Sequence, residues 1–407
     1  MKTKLKKPTH AEGNSSFSQA LLWFGAAVSI AEILTGALTA PLGLSKGIWA
    51  ILIGHGIGAV ILYWAGMIGA QSGLAAIEST RISFGKYGSF GFSVLNILQL
   101  IGWTAIMVIN AAKALNGVTD AVFRYQNEPL WAILISGFIG LWIIVGVKNL
   151  AKLNGVVVGV LLIFSIALGW VVFQSKGSIA GIKGNMAFGA AVELSVTMAL
   201  SWLPLIADYT RHVKDKKSGV LCSVSGYFVG SSLMFIIGLG AAIYAGTSDV
   251  CTILLSAGLG VVALIIVMFS TVTTTFLDVY SAGVSFVNLN PKINEKNAAL
   301  VVCIIGLILA IVIPISQYEN FLYLIGSVFA PLFAVLLTDY FIFKKKKVDP
   351  GSLLNFPNTA LWILGVIGYR LLLTWDSPVG VTLPVMIIVS ILSVLLHGGI
   401  RLCPKQT

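Results

Sequence analysis

The run Leu21-Leu22-Trp23-Phe24-Gly25-Ala26-Ala27-Val28-Ser29-Ile30-Ala31-Glu32-Ile33-Leu34-Thr35-Gly36-Ala37-Leu38-Thr39-Ala40-Pro41 is apolar, with one carboxylate near its middle. Its length suits the hydrocarbon core of a bilayer, which takes about 20 helical residues to cross. An ionisable side chain at that depth is costly, so Glu32 is expected to face a bundle interior rather than lipid. The residues around it are small: Gly25, Ala26, Ala27, Ser29, Ala31, Thr35, Gly36 and Ala37. Such a segment can unwind or pack closely. A carboxylate inside a breakable membrane helix points to a ligand or ion site at membrane depth.

The rest of the chain has the same character. Hydrophobic residues are 57% of the 407 and charged residues 10%, against about 25% charged in soluble domains. Mean hydropathy is +0.95. The chain is therefore read as an all-α integral membrane protein with twelve spans, at 17–41, 48–70, 90–116, 130–147, 154–175, 185–208, 221–246, 253–287, 298–317, 319–343, 359–375 and 380–402. The first apolar run is too long for a cleavable signal. Residues 1–16 are expected to form a flexible cytoplasmic tail.

The net charge of +11 does not indicate nucleic acid. Most of the Lys and Arg fall in the N-terminus, 71–89, 148–153, 209–220, 288–297, 344–358 and the C-terminus, all on one side of the membrane. This is the positive-inside bias and places both termini in the cytoplasm, in a plasma (inner) membrane. Lys214–Lys217 and Lys344–Lys347 read as anchors facing anionic lipid. Cys222, Cys251, Cys303 and Cys403 form no CxxC, and His10, His55, His212 and His397 lack metal-ligand spacing. There is no Walker A sequence, so uphill movement of a solute would draw on an ion gradient. A nucleophile–base set, which a membrane-embedded enzyme needs, is missing. No oligomeric state is assigned; a monomer is compatible.

Two five-span repeats are expected, at 17–175 and 185–343, followed by two peripheral helices at 359–402. An odd number of spans per repeat inverts the second copy. The first span of each half looks breakable: Gly25–Gly36 in span 1, and Ser201-Trp202-Leu203-Pro204 in span 6. Broken helices in matching positions point to a transporter site and favour alternating access over a continuous channel.

Polar side chains gather on a few faces. In span 8, positions Ser270, Thr273, Thr274, Leu277, Asp278 and Ser281 share one face at helical spacing. Adjacent threonine hydroxyls are hard oxygen ligands suited to a small cation; the plainer reading is that they bond back to carbonyls one turn earlier. In span 3, Asn96, Gln99, Trp103 and Asn110 lie on one face. Gln99 suits the edge of a heterocycle, and Trp103 offers a flat surface. Span 6 adds Glu193, Thr197 and Ser201, with Trp202 at the break. Trp103 and Trp202 are read as an aromatic sandwich around a flat ligand, with Glu32 or Asp278 accepting from its amino group. Glu193 lies near the outer end of its span, where an access-path and a structural role are equally expected. Asp208 and Arg211 read as a structural or gating ion pair.

Three stretches resemble the nucleobase–cation symporter 1 family of cytosine, hydantoin and allantoin permeases. They are Trp202 followed by Ala207-Asp208-Tyr209-Thr210-Arg211, then Gln99-Leu100-Ile101-Gly102-Trp103, and Phe321-Leu322-Tyr323-Leu324-Ile325-Gly326 followed by Pro331 and Asp339-Tyr340-Phe341. The resemblance implies a five-plus-five inverted-repeat (LeuT-like) fold with two further helices. It implies a sodium site at Gly25 and Ser29 (carbonyls) and Ser270, Thr273 and Thr274, and no other cofactor. It implies a substrate site with Trp103 and Trp202 as aromatic faces and Gln99 as the polar edge; the reading of the residues themselves adds Glu32, Asn96, Ser201 and Asp278 to that site. Glu32, Asp278, Ser270 and the spacing of Gln99 to Trp103 depart from the cytosine permeases. Within the family the chain looks most like the CytX-type permeases assigned to hydroxymethylpyrimidine, a thiamin precursor. The expected partners are thus a small planar pyrimidine and membrane lipid, not nucleic acid; cytosine and proton coupling are the alternatives.

Overall fold

The computed structural model describes residues 14–174, 185–245, 252, 255, 260–312, 318–375 and 377–402. The flexible-tail expectation for the first thirteen residues, and His10, Cys251 and Cys403, lie outside this set. The first apolar run is two helices, α1 (Ser16–Ala27) and α2 (Ile30–Leu38). Ser29 between them is extended, with φ −140° and ψ 157°, and its hydroxyl accepts the Glu32 amide at 3.3 Å. Serine favours this position because its short side chain satisfies an amide that the first helical turn leaves unpaired. Span 6 breaks likewise into α8 (Phe188–Leu200) and α9 (Leu203–Thr210). Pro204 falls in the first turn of α9, where its missing N–H leaves no intrahelical bond unmade.

The other helices are α3 (Gly43–Ser72), the short α4 (Ala76–Ser79), α5 (Arg81–Phe123), α6 (Glu128–Val145), α7 (Val147–Gln174), α10 (Lys216–Ala245), α11 (Gly260–Leu289), α12 (Glu295–Val312), α13 (Tyr318–Leu337), α14 (Phe356–Leu372) and α15 (Thr382–Leu402). A π-helical turn, Thr338–Ile342, continues α13. These helices fall on the twelve expected spans. Seven helical stretches among the described residues are long and apolar enough, by length and composition, to cross a membrane. The second half of span 1 runs on into α3 in one of these stretches, Ile30–Ser72, and the broken span 6 forms another, Phe188–Thr210.

Two groups of helices form. In the first, α1 and α2 pack on α10, and α3 packs on α8 and α10. In the second, α5 packs on α11, α12 and α6. Within the first group the backbones come very close. A Cβ at Gly238 of α10 would overlap the Ile33 carbonyl of α2, and one at Gly36 would overlap the backbone of Phe235. Small residues allow such approaches where lipid offers no hydrophobic drive for association. Gly238→Ala is therefore expected to destabilise the protein by about 1–3 kcal/mol, the usual cost of overpacking, read as a lower Tm in detergent. An unchanged Tm would mean that this crossing is looser than described.

The two C-terminal helices are attached at defined points. The Glu193 carboxylate of α8 accepts from the Tyr369 hydroxyl of α14 at 2.5 Å and the Thr382 hydroxyl at 2.6 Å. It also accepts the amides of Val381 and Thr382, at 2.6 and 2.9 Å, at the start of α15. An anion is favoured at that helix N-terminus. At the other end of α14, the Asn358 side-chain amide donates to the Ser83 carbonyl (2.7 Å) and to Asp339 (3.0 Å). Asp339 also pairs with Lys345 at 2.6 Å. Of the two roles expected for Glu193, this geometry supplies the structural one. Glu193→Gln puts an N–H group among donors, and its expected cost is about 1–3 kcal/mol of stability with ligand affinity unchanged. Equal Tm values for variant and wild type would contradict this.

Candidate functional site

A cavity lies where the two broken spans meet the second helix group. Ala26, Ser29, Ala31 and Glu32 line it from span 1, and Met198, Ser201 and Trp202 from span 6. Trp103 and Met107 of α5 and Thr274 and Asp278 of α11 complete the wall. Only about 20 Å³ is open to the centre of a water molecule, room for one or two waters. The walls are thus drawn together.

The aromatic walls are held from behind. Trp103 stands edge-on to Tyr318 and Phe321 of α13, with centroids 6.0 and 5.5 Å away. Tyr318 also contacts the Thr35 hydroxyl at 2.9 Å, joining α13 to α2. Trp202 stands edge-on to Trp23 at 5.3 Å and Tyr227 at 6.1 Å. Trp23 is fully buried and further touches Tyr209 at 5.8 Å. Such edge-to-face contacts each contribute about 0.5–1.5 kcal/mol beyond burial. Trp23 belongs to no sequence motif, and only the packing of α1 on α9 and α10 places it behind Trp202.

The two cavity carboxyls differ. Glu32 is in the first turn of α2. Its Oε2 accepts from the Ser231 hydroxyl of α10 at 2.7 Å, and its Oε1 from the Tyr227 hydroxyl at 3.3 Å. Ser231 Oγ lies 2.5 Å from His55 Nε2 of α3, and His55 Nδ1 is 2.9 Å from the Ile51 carbonyl. Asp278, 5% exposed, makes no hydrogen bond to any described residue and borders the cavity directly. Buried polar groups are nearly always paired, so an unpaired carboxyl on a cavity wall is a group waiting for a donor.

Asn96 and Gln99 are placed differently from expectation. The Gln99 amide donates to the Ser201 carbonyl at 3.0 Å. The Asn96 amide donates to Ser285 at 2.9 Å and lies 3.5 Å from the Pro204 carbonyl. Neither lines the cavity. The break in span 6 frees the Ser201 carbonyl, which the Gln99 amide satisfies, while the Asn96 amide is taken by the Ser285 hydroxyl. The Gln99 side-chain oxygen and the Trp103 indole N–H remain buried without a partner. Ser201 itself borders the cavity, though its hydroxyl is spent on the Met198 carbonyl at 2.7 Å.

The span 1 carbonyls that face α11 are one residue inside the expected pair. Ser270 donates to the Val28 carbonyl at 2.6 Å, and Thr274 to the Ala26 carbonyl at 3.0 Å. The Ser29 carbonyl instead accepts the Ile33 amide at 3.4 Å within α2. Gly25 lies at the end of α1, where a Cβ would press on Val158 of α7. Thr273 bonds back to the carbonyls of Phe269 and Ser270, at 2.8 and 3.0 Å, as the plainer reading of these hydroxyls has it. Two hydroxyl–carbonyl pairs, Ser270 with Val28 and Thr274 with Ala26, therefore bridge the two helix groups.

Asp208 and Arg211 make no direct side-chain ion-pair contact among the described residues, though their opposite charges lie close enough to attract. The Asp208 carboxylate accepts the Ala76 amide at the start of α4, at 2.8 Å, while Arg211 Nε donates to the Asp208 backbone carbonyl and to His212. A helix N-terminus takes the carboxylate in preference to the neighbouring cation.

Two broken spans meeting at a polar cavity between two helix groups define a secondary transporter of the inverted-repeat kind. Residues 7–393 match the family described as permeases for cytosine/purines, uracil, thiamine and allantoin, and the chain belongs to that family. It is 25% identical over 342 residues to the cytosine permease of Escherichia coli strain K12, covering 81% of this chain and 76% of that one. Mhp1 in its inward-facing conformation superposes with a TM-score of 0.82 at 17% identity, over 98% of this chain and 94% of the other. A Na+-coupled sialic acid symporter, in a substrate-bound outward-open state, superposes at 0.68 with 14% identity, over 96% and 91%. Both superpositions establish the LeuT-like fold.

Proposed function

We propose that this permease imports a small planar aminopyrimidine by sodium symport with alternating access, hydroxymethylpyrimidine being the substrate that suits the site best. The observation that carries this reading is Asp278: a buried carboxyl with no hydrogen-bond partner among the described residues, beside a cavity bordered by Trp103 and Trp202. An amino group on the heterocycle donates to Asp278, the ring stacks against the indoles, and a hydroxymethyl arm reaches Glu32. Sodium binds among the carbonyls of Ala26 and Val28 and the hydroxyls of Ser270 and Thr274, which are hard oxygen donors from both helix groups. The Na+ coupling of a symporter with the same fold supports the choice of ion. The positive-inside pattern supports cytoplasmic termini.

A second reading is cytosine as substrate, favoured by the named activity of the bacterial relative. A thermal-shift panel of the purified protein distinguishes the two. With sodium present, hydroxymethylpyrimidine at 100 times its Kd adds about 2.7 kcal/mol of stability, and cytosine, lacking the arm, adds less at equal concentration. A larger shift with cytosine selects the second reading. A shift only with a purine or a hydantoin overturns both.

A further inference from the structure

The contacts linking Glu32, Ser231 and His55 can be counted proton by proton. A carbonyl oxygen only accepts, so the 2.9 Å contact from His55 Nδ1 to the Ile51 carbonyl places a proton on Nδ1. His55 Nε2 then faces Ser231 Oγ at 2.5 Å, and Ser231 Oγ faces Glu32 Oε2 at 2.7 Å. The serine hydroxyl has a single proton. With Glu32 ionised and His55 neutral, both of its neighbours are acceptors, and one of these two short contacts would set lone pair against lone pair. One more proton is required along the line. Tyr227 does not supply it, since its hydroxyl lies 3.3 Å from Oε1 and 3.5 Å from Ser231 Oγ, off the Nε2–Oγ–Oε2 line.

We propose that Glu32, Ser231 and His55 form a proton-binding site that holds one proton between the substrate cavity and the interior of the first helix group. Two arrangements satisfy the contacts. In one, Glu32 is a carboxylic acid donating to Ser231, which donates to Nε2. In the other, an imidazolium donates to Ser231, which donates to a carboxylate. They interconvert when the Glu32 proton passes to Oγ as the serine proton passes to Nε2; no bond between heavy atoms changes. A donor arriving at Glu32 from the cavity favours the carboxylate, so the proton moves to His55.

The surroundings suit such a site. His55 packs edge-on against Phe235 with centroids 4.6 Å apart, and is 1% exposed. The titratable groups facing the line are Tyr227 on α10, Asp278 across the cavity on α11, and Tyr318 on α13; α8 presents Met198, Ser201 and Trp202. No lysine or arginine among the described residues bonds to it. Ionisable groups buried together in a membrane bundle commonly carry protons. The carboxylate of Glu32 contacts none of the four oxygens assigned to sodium. The site stands whether or not sodium binds, and whichever heterocycle is carried.

The test uses the full-length protein in lipid, without any ligand. In a variant combining His10→Gln, His212→Gln and His397→Gln, His55 is the sole histidine, and ¹⁵N NMR of its ring reports its protonation. Infrared spectroscopy reports Glu32 as the carboxyl band that Glu32→Gln removes. Near neutral pH the expected result is either a protonated Glu32 with a neutral His55 or an ionised Glu32 with an imidazolium. An ionised Glu32 beside a neutral His55 overturns the proposal. Ser231→Ala is expected to separate the two titrations in pH; if they still move together, the route through Ser231 is wrong. The triple-histidine measurement stands even if Ser231→Ala fails to fold.

Discussion

Asp278→Asn is expected to weaken aminopyrimidine binding by about 10- to 100-fold, because a hydrogen bond to a charged group is worth about 1.5–3 kcal/mol and each 1.4 kcal/mol is tenfold. The substitution is nearly isosteric and removes no protein contact, since the carboxyl has no hydrogen-bond partner among the described residues. Folding and sodium binding should therefore survive it. Isothermal titration with hydroxymethylpyrimidine at saturating sodium gives the affinity, and a sodium thermal shift without ligand gives the control. Wild-type affinity in the variant would remove Asp278 from the site. A loss of the sodium response with pyrimidine affinity retained would move Asp278 to the ion instead.

Thr274→Ala should act on the other half of the coupling. It deletes one of the four oxygens proposed to hold sodium, and the apparent sodium affinity is expected to fall at least tenfold, within the range of about 10- to 100-fold seen when a metal site loses a supporting group. Linkage makes the effect reciprocal: if sodium raises pyrimidine affinity by some factor, pyrimidine raises sodium affinity equally. In the variant the pyrimidine affinity at low sodium should therefore drop and recover at high sodium. Thr273→Ala is the internal control, because its hydroxyl bonds within its own helix. Equal sodium affinities in both variants would show that the ion lies elsewhere.

Much of the fold was legible because membrane burial imposes a simple grammar. Long apolar runs mark spans, and a cluster of small residues or a proline inside one marks a break, as in Gly25–Gly36 and at Pro204. The site was legible only in part. Residue type identifies which side chains have chemistry to offer, but not which neighbour takes it first. Gln99 and Asn96 look like ligand contacts in sequence; the Ser201 carbonyl at the span 6 break takes the Gln99 amide, and the Ser285 hydroxyl takes that of Asn96. Asp208 and Arg211 look like an ion pair; the amide of Ala76 claims the carboxylate. His55 lacks metal-ligand spacing to any other histidine, although a histidine inside an apolar span is itself a signal. Its partners, Ser231 and Glu32, are far from it in the sequence, and only the packing of α3, α10 and α2 joins them.

The attachments of α14 carry a last consequence. At one end Tyr369 is tied to Glu193 in the first helix group; at the other Asn358 is tied to Ser83 at the start of α5, in the second. A strut fastened to both partners of a swing tolerates least displacement where it stands. Under the proposed alternating access, in which the two helix groups would move against one another, the fulcrum lies near α14 and travel is greatest on the far side of the molecule. Lengthening or loosening either fastening would alter the stroke of the carrier without touching what it carries.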